Sequence, residues 1–227
     1  MKILFFIEEL GPGGKERQFT ELLQHISARE GIHCKLVIMS NRLHYSKILE
    51  LDTEVHYLIR RNKKDSRILH KFYRLCRYLQ PDIVHTWGAM TSVYAVPVTK
   101  WLGIRLINGM VRGAAPRRSL FDLYYLAAFL TFPFSDAIVS NSRAGLEAFK
   151  APSKKSVRIF NGFDSQRIAS LKDPLSLKDD LAIGTGKVVG MVASVSDRKD
   201  YATYLKAAEI ILKIREDVTF IAVGGGV

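Results

Sequence analysis

The most constraining feature of this chain is its opening stretch, Met1 to Gln18. An unbroken apolar run, Ile3 to Ile7, passes through Glu8, Glu9 and Leu10 into Gly11-Pro12-Gly13-Gly14. Apolar residues without alternation are the pattern of a parallel strand buried on both faces. A glycine turn at the end of such a strand leaves no Cβ between main chain and ligand, so an anionic group can approach the amides and the N-terminus of the following helix. The chain is therefore expected to open with a central strand of an α/β sheet whose first turn faces a ligand.

Spacing separates the glycine loops that serve this role. A P-loop needs Gly where Glu9 stands and Ser or Thr where Glu16 stands. A dinucleotide fingerprint accepts Gly11 and Gly13 but needs a third small residue at Glu16 and an acid closing the second strand, which here closes on Ser40 and Asn41. Neither fits, and a turn ending Gly13-Gly14-Lys15-Glu16-Arg17-Gln18 remains.

The pattern beyond it predicts a doubly wound sheet. Phe19, Leu22, Leu23 and Ile26 recur at helical spacing, and strands are predicted at Cys34–Met39 and Val55–Ile59. Ser66 is the expected cap of a helix that turns Ile68, Leu69, Phe72, Leu75, Cys76 and Leu79 inward and Lys71, Arg74 and Arg77 outward. Ile83 to Trp87 is a buried strand with polar and aromatic groups at its carboxyl end, where ligands of open α/β sheets bind. A helix over Met90–Leu102 and a strand over Arg105–Met110 follow, delivering Arg112 to the same edge. Arg117 and Arg118 lead into a helix with Leu120, Phe121, Leu123, Tyr124, Leu126, Ala127 and Leu130, so apolar that burial against the sheet is expected, with lipid contact as the alternative. Ala137–Ser140 and Val157–Phe160 complete the strands, with Asn141 and Ser142 at the same edge and Ser142 also a natural helix cap.

From Asp164 to Gly186 the chain is rich in Lys, Asp, Ser and Pro and reads as a linker. A second start follows. Val188–Val195 is a buried-type strand, Asp197 to Asp200 a charged turn, and Val218–Val223 a strand running into Gly224, Gly225 and Gly226. The expected division is residues 1–163, a linker over 164–186, and a second domain beginning at 187.

Composition narrows the class. The chain has 227 residues, 48% hydrophobic and 25% charged, as in a globular protein with a sizeable core. A formal charge of +12 suits phosphate-rich ligands, anionic lipid or nucleic acid without choosing among them. Cys34 and Cys76 stand apart in apolar segments, which predicts reduced buried thiols and a cytosolic setting, and neither has metal-ligand spacing. The opening run is too short for a signal-peptide core, and Leu123 to Phe134 is too short to span a bilayer.

Several motifs resemble one family. Gly13-Gly14-Lys15-Glu16-Arg17 is similar to the Gly-Gly-x-Glu-Arg signature near the N-terminus of GT4-type retaining glycosyltransferases of the GT-B fold. Asn161-Gly162-Phe163-Asp164 resembles the Asn-Gly-x-Asp segment ending their first domain, Arg198-Lys199-Asp200 the Arg/Lys-Asp turn opening the second, and Ala222 to Gly226 the Val-Gly-x-Gly end of its second strand. The resemblance implies an α/β chain of GT-B type: a Rossmann-like, doubly wound parallel sheet on the acceptor side, followed by the first βαβ unit of a second Rossmann-like domain.

It further implies a hexosyltransferase-type enzyme that moves sugar from a nucleotide-sugar to an acceptor hydroxyl with retention. Neither metal nor other cofactor is expected. Without a metal the leaving diphosphate needs amides and cations, and the matching positions are Gly13, Gly14, Arg198 and Lys199. Arg17, Arg112, Asn141 and Ser142 are expected to line the acceptor side or the cleft. Many members carry a His where Trp87 stands, so catalytic roles for His85 and Trp87 stay open, with a core histidine as the other reading of His85. The family's Glu-x7-Glu motif is absent before Val227, which implies a chain truncated in its second domain and inactive alone. The partners implied are a nucleotide-sugar and a glycan or lipid-linked acceptor, with peripheral membrane contact, no nucleic acid, and a cytoplasmic place at the inner face of the membrane. The rival functions are a non-catalytic module binding anionic lipid or nucleic acid, and a nucleotide-dependent oxidoreductase.

Overall fold

A computed structural model of the chain describes residues 1–45, 48, 50–51, 53–62, 65–111, 113, 122–169, 171, 173–184, 186–196 and 199–225. It divides into two compact units, Met1–Asp164 and Ser165–Val227.

The first unit is a parallel sheet of seven strands with helices between them. In chain order these are β1 (Lys2–Ile7), α1 (Gly14–Ser27), β2 (His33–Ile38), β3 (Glu54–Tyr57), α2 (Arg67–Leu79), β4 (Ile83–Thr86), α3 (Ala89–Leu102), β5 (Arg105–Val111), α4 (Leu123–Thr131), β6 (Ala137–Ser140), α5 (Arg143–Ala148) and β7 (Ser156–Arg158). The strand order is β3-β2-β1-β4-β5-β6-β7, so the order reverses between β1 and β4. That reversal makes a topological switch point, where ligands of doubly wound sheets bind at the carboxyl ends of the strands. Phe5 stands between Leu36 of β2 and His85 of β4 in register.

The unbroken apolar run of β1 is needed because both its faces are covered. Leu4 and Phe6 pack with α2 and α3 on one side, while Ile3, Phe5 and Ile7 pack with Phe19 and Leu23 of α1 on the other. Each such burial contributes about 1.5–3 kcal/mol. The α3 and α4 side also holds a buried polar chain that the periodicity does not announce. Thr86 Oγ1 and Ser92 Oγ lie 2.7 Å apart, and Ser92 Oγ donates to Asn108 Oδ1 at 3.1 Å. The Asn108 amide donates to Thr131 Oγ1 and Ser135 Oγ at 3.0 and 3.2 Å. All five residues are buried, and the chain ties β4, α3, β5 and α4 together.

Two local expectations are corrected. Ser66 does not cap α2 with its side chain. Asp65, one residue earlier, accepts from the Arg61 and Arg67 amides and from the Arg67 guanidinium, which hold its carboxyl well below the usual range. Helix α4 docks through Ala127, Ala128 and Thr131, whereas Leu123, Tyr124, Phe129 and Leu130 are exposed. Small residues let the helix approach the sheet closely enough for Thr131 to reach Asn108, and this turns the bulky residues outward. Arg117, Arg118, Leu120 and Phe121 lie outside the described residues.

The second unit begins with two short helices, α6 (Gln166–Ala169) and α7 (Pro174–Asp180), where the composition reads as a linker. Strand β8 (Lys187–Val192) then pairs in parallel with β9 (Val218–Val223), joined by α8 (Tyr201–Leu212). Tyr204 pins α8 to both strands, its hydroxyl lying 3.0 Å from the Val189 carbonyl and 2.7 Å from that of Ile221.

Candidate ligand-binding crevice at the glycine turn

The turn between β1 and α1 opens at the switch point, and its glycines are not equivalent. A Cβ on Gly13 would run into the Glu16 carboxylate, because the Glu16 side chain, three residues into the helix, folds back over the start of α1. A Cβ on Gly14 would meet nothing within 4 Å. Gly13 is thus needed for an internal carboxylate, and the edge of the turn at Gly14 is open to a ligand.

The same logic governs the start of α3. Gly88 is its N-cap and has no side chain to offer the free amides. Glu8, from the end of β1, supplies the missing acceptor: its Oε1 takes a hydrogen bond from the Met90 amide at 3.1 Å, where the helix dipole favours a negative charge. Lys15 then joins the two carboxylates, with Nζ 2.8 Å from Glu16 Oε1 and 3.6 Å from Glu8 Oε2. One cation between two anions leaves the turn without surplus positive charge.

Below the turn lies an aromatic cluster. Phe19 meets Phe5 at 5.6 Å and Trp87 at 5.2 Å, and the His85 ring lies 5.4 Å from both Phe5 and Trp87. His85 belongs to this core. Its Nε2 has no hydrogen-bond partner among the described residues, and burial pushes its pKa down to about 3, so the ring is neutral. The main chain of β5 passes closely enough that a Cβ on Gly109 would stand 3.2 Å from that nitrogen. Trp87 is half-buried and braces α1 through Phe19. Both residues shape the floor of the crevice.

The other expected residues fall as follows. The Nε of Arg17 and the Oδ1 of Asn141 are buried without a hydrogen-bond partner among the described residues. Ser142 is committed locally: its hydroxyl accepts from the Gly145 amide at 3.1 Å and caps α5. Gln18 Nε2 donates to the Gly162 carbonyl at 2.9 Å, so the Gly-Gly-x-Glu-Arg and Asn-Gly-x-Asp segments touch in the folded unit. In the second unit Lys199 is exposed just before α8, which Asp200 caps by accepting from the Thr203 amide at 3.0 Å. Gly224 at the end of β9 has φ +157°, and a side chain there would strike the Ala193 carbonyl. Arg112 and Arg198 lie outside the described residues. No cluster of His, Cys, Asp or Glu suited to a metal occurs among the described residues.

Glu8 and the Asn108 chain were not anticipated. The signal for Glu8 was a carboxylate at the end of β1 facing a helix that starts on glycine.

Comparison with known proteins agrees with this architecture. Across its full length the chain is 24% identical to a Campylobacter jejuni N-acetylgalactosamine-N,N'-diacetylbacillosaminyl-diphospho-undecaprenol 4-alpha-N-acetylgalactosaminyltransferase, of which it covers 63%. It superposes over its full length on Anabaena Alr3699/HepE, crystallised with UDP, with a TM-score of 0.79 at 19% identity and 62% of that chain covered. It also superposes on the UDP-GlcNAc 2-epimerase of Neisseria meningitidis with a TM-score of 0.64 at 14% identity, covering 98% of this chain and 65% of that one. The fold is therefore Rossmann-like and of GT-B type. The family model of Glycosyltransferase Family 4 matches residues 12–167, from the glycine turn through strands β2 to β7, and the chain belongs to that family.

Proposed function

We propose that the protein transfers a hexosyl unit from a nucleotide-sugar to an acceptor hydroxyl with retention at the anomeric carbon, in the building of an envelope or surface glycan. One observation carries this reading: the family match begins at a glycine turn that opens onto the switch point, with free space beside Gly14. Because Glu8 already occupies the start of α3, the donor phosphates fall to the Gly13–Gly14 turn and, in the second unit, to Arg198 and Lys199. Cations at a departing diphosphate stabilise the charge that develops as the glycosidic bond breaks. Arg17 and Asn141 offer the unpaired polar atoms on the acceptor side, and His85 and Trp87 act as positioning groups. UDP in HepE and the diphospho-undecaprenol acceptor of the Campylobacter enzyme support a uridine donor and a lipid-linked acceptor. The epimerases share the fold, and the family match favours transfer.

The acceptor side meets the inner face of an anionic membrane in this reading. Leu123, Tyr124, Phe129 and Leu130 expose an apolar face on α4, Lys155 donates to the Pro133 carbonyl beside exposed Phe134, and the chain carries +12. Binding to anionic liposomes that weakens with salt is expected in flotation; no binding at low salt removes this part.

A thermal-shift screen against UDP-, GDP-, ADP- and TDP-sugars tests the donor. Stabilisation by one nucleotide class is expected, abolished in Gly14→Leu and reduced in Lys199→Ala. Absence of any shift overturns the reading.

A further inference from the structure

A pocket of about 370 Å³ opens on the side of β1 away from β4, at the carboxyl ends of β1, β2 and β3. Glu8 and Glu9 line it from β1, Ser40 and Arg42 from the segment after β2, and Arg60 from the segment after β3, over buried Met39. Its rim is built by main-chain bonds. The Arg60 amide donates to the Met39 carbonyl at 3.4 Å, Leu10 to the Arg42 carbonyl at 3.2 Å, and the Arg42 amide to Ser40 Oγ at 3.1 Å.

The charges balance in this pocket, two carboxylates against two guanidinium groups, in a chain whose formal charge is +12. A phosphate gains little where carboxylates share the wall. A sugar hydroxyl both donates and accepts, so alternating carboxylate and guanidinium groups suit it, and charge-assisted bonds to them are the strong ones. The volume lies at the small end of ligand pockets. Among the described residues the side chains of Glu9 and Arg42 have no hydrogen-bond partner, so both are available to a ligand.

We propose that this pocket holds a neutral pyranose ring of the acceptor glycan, gripped by Glu9 and Arg42. The inference rests on the transferase reading and names the chemistry of its acceptor. The pocket lies on the β2 and β3 side of β1, whereas the donor phosphates are assigned to the Gly13–Gly14 turn.

Saturation-transfer NMR of the 227-residue chain with the methyl glycosides of glucose, galactose, N-acetylglucosamine and N-acetylgalactosamine tests it, in the presence of UDP. Transfer to at least one glycoside is expected, with affinity reduced about tenfold in Glu9→Gln and in Arg42→Met, as for loss of one hydrogen bond to a charged group. Signals from UDP should be unchanged in both variants. No transfer to any glycoside, equal transfer in wild type and both variants, or displacement of the glycoside by inorganic phosphate overturns the proposal. Failure of the transferase reading is distinguishable, because nucleotide-sugars would then fail to bind while glycoside transfer and its dependence on Glu9 and Arg42 persist.

Discussion

The carboxylate of Glu8 stands where a side chain on Gly88 would be: a Cβ there would lie 2.5 Å from the Glu8 carboxyl carbon. Gly88 is extended, with φ −175°, a conformation open to any residue, so it is the carboxylate and not the backbone that requires glycine.

A coupling between the two positions follows. Glu8→Ala should cost about 1 kcal/mol, the usual value of a helix cap. Gly88→Ala should cost a similar amount by pushing the flexible Glu8 side chain off the Met90 amide. In the Glu8→Ala background that part of the Gly88→Ala penalty should vanish, since the cap is already gone. Urea unfolding of the four chains measures the cycle, and strict additivity would refute the link.

Asn108 is the hub of the buried polar chain, so its removal should be among the costlier core changes. Asn108→Ala leaves Ser92, Thr131, Ser135 and the Met110 amide short of a partner each, and a loss of about 2–4 kcal/mol is expected. Thr131→Val, which removes one member and keeps the shape, should cost about 1 kcal/mol. Chemical denaturation with an unchanged m value checks both.

His85 should make the fold sensitive to mild acid. The unfolded ring binds a proton near pH 6.5, the folded ring only near 3, so between these values protons favour the unfolded chain and stability falls as pH falls. The slope attributable to His85 approaches about 1.4 kcal/mol per pH unit. His85→Phe should flatten the stability profile between pH 6 and about 4 relative to wild type. Parallel profiles for the two chains would show that the ring is protonated or reachable by water in the folded state.

Both thiols should be silent in the native state. Burial raises the pKa of Cys34 and pushes that of Cys76 up to about 12, so little thiolate forms at neutral pH. Neither should react with an aromatic disulfide reagent until denaturant is added, when two equivalents should appear at once. Rapid labelling of Cys76 in buffer would contradict its place in the core.

Much of this architecture can be read before folding because it is written in local pattern. The doubled burial of β1 shows in Ile3 to Ile7, the turn in Gly11 to Gly14, and the alternation of strands and helices in periodicities that need no knowledge of distant contacts. Strand Ala137–Ser140 and strand Val218–Val223 lie where pattern places them. Helix α4 marks where this fails. Its uniformly apolar residues cannot say which face turns inward, and the choice went to the face carrying Ala127, Ala128 and Thr131, because Thr131 had a buried amide to satisfy in Asn108.

The crevice divides in the same way. That glycine stands at positions 13 and 88 is read directly from the chain, but a missing Cβ does not by itself separate a close approach there from the open space at Gly14. What comes close is not legible. Glu8 is 80 residues from Gly88 in sequence, and only the parallel pairing of β1 with β4 brings its carboxylate to the start of α3. The same pairing sets His85 against Phe5 and closes the core over its ring, turning a residue with the chemistry of a catalyst into a neutral strut. Distant contacts of this kind arise from strand order, and strand order is settled by the burial of whole faces rather than by any one segment.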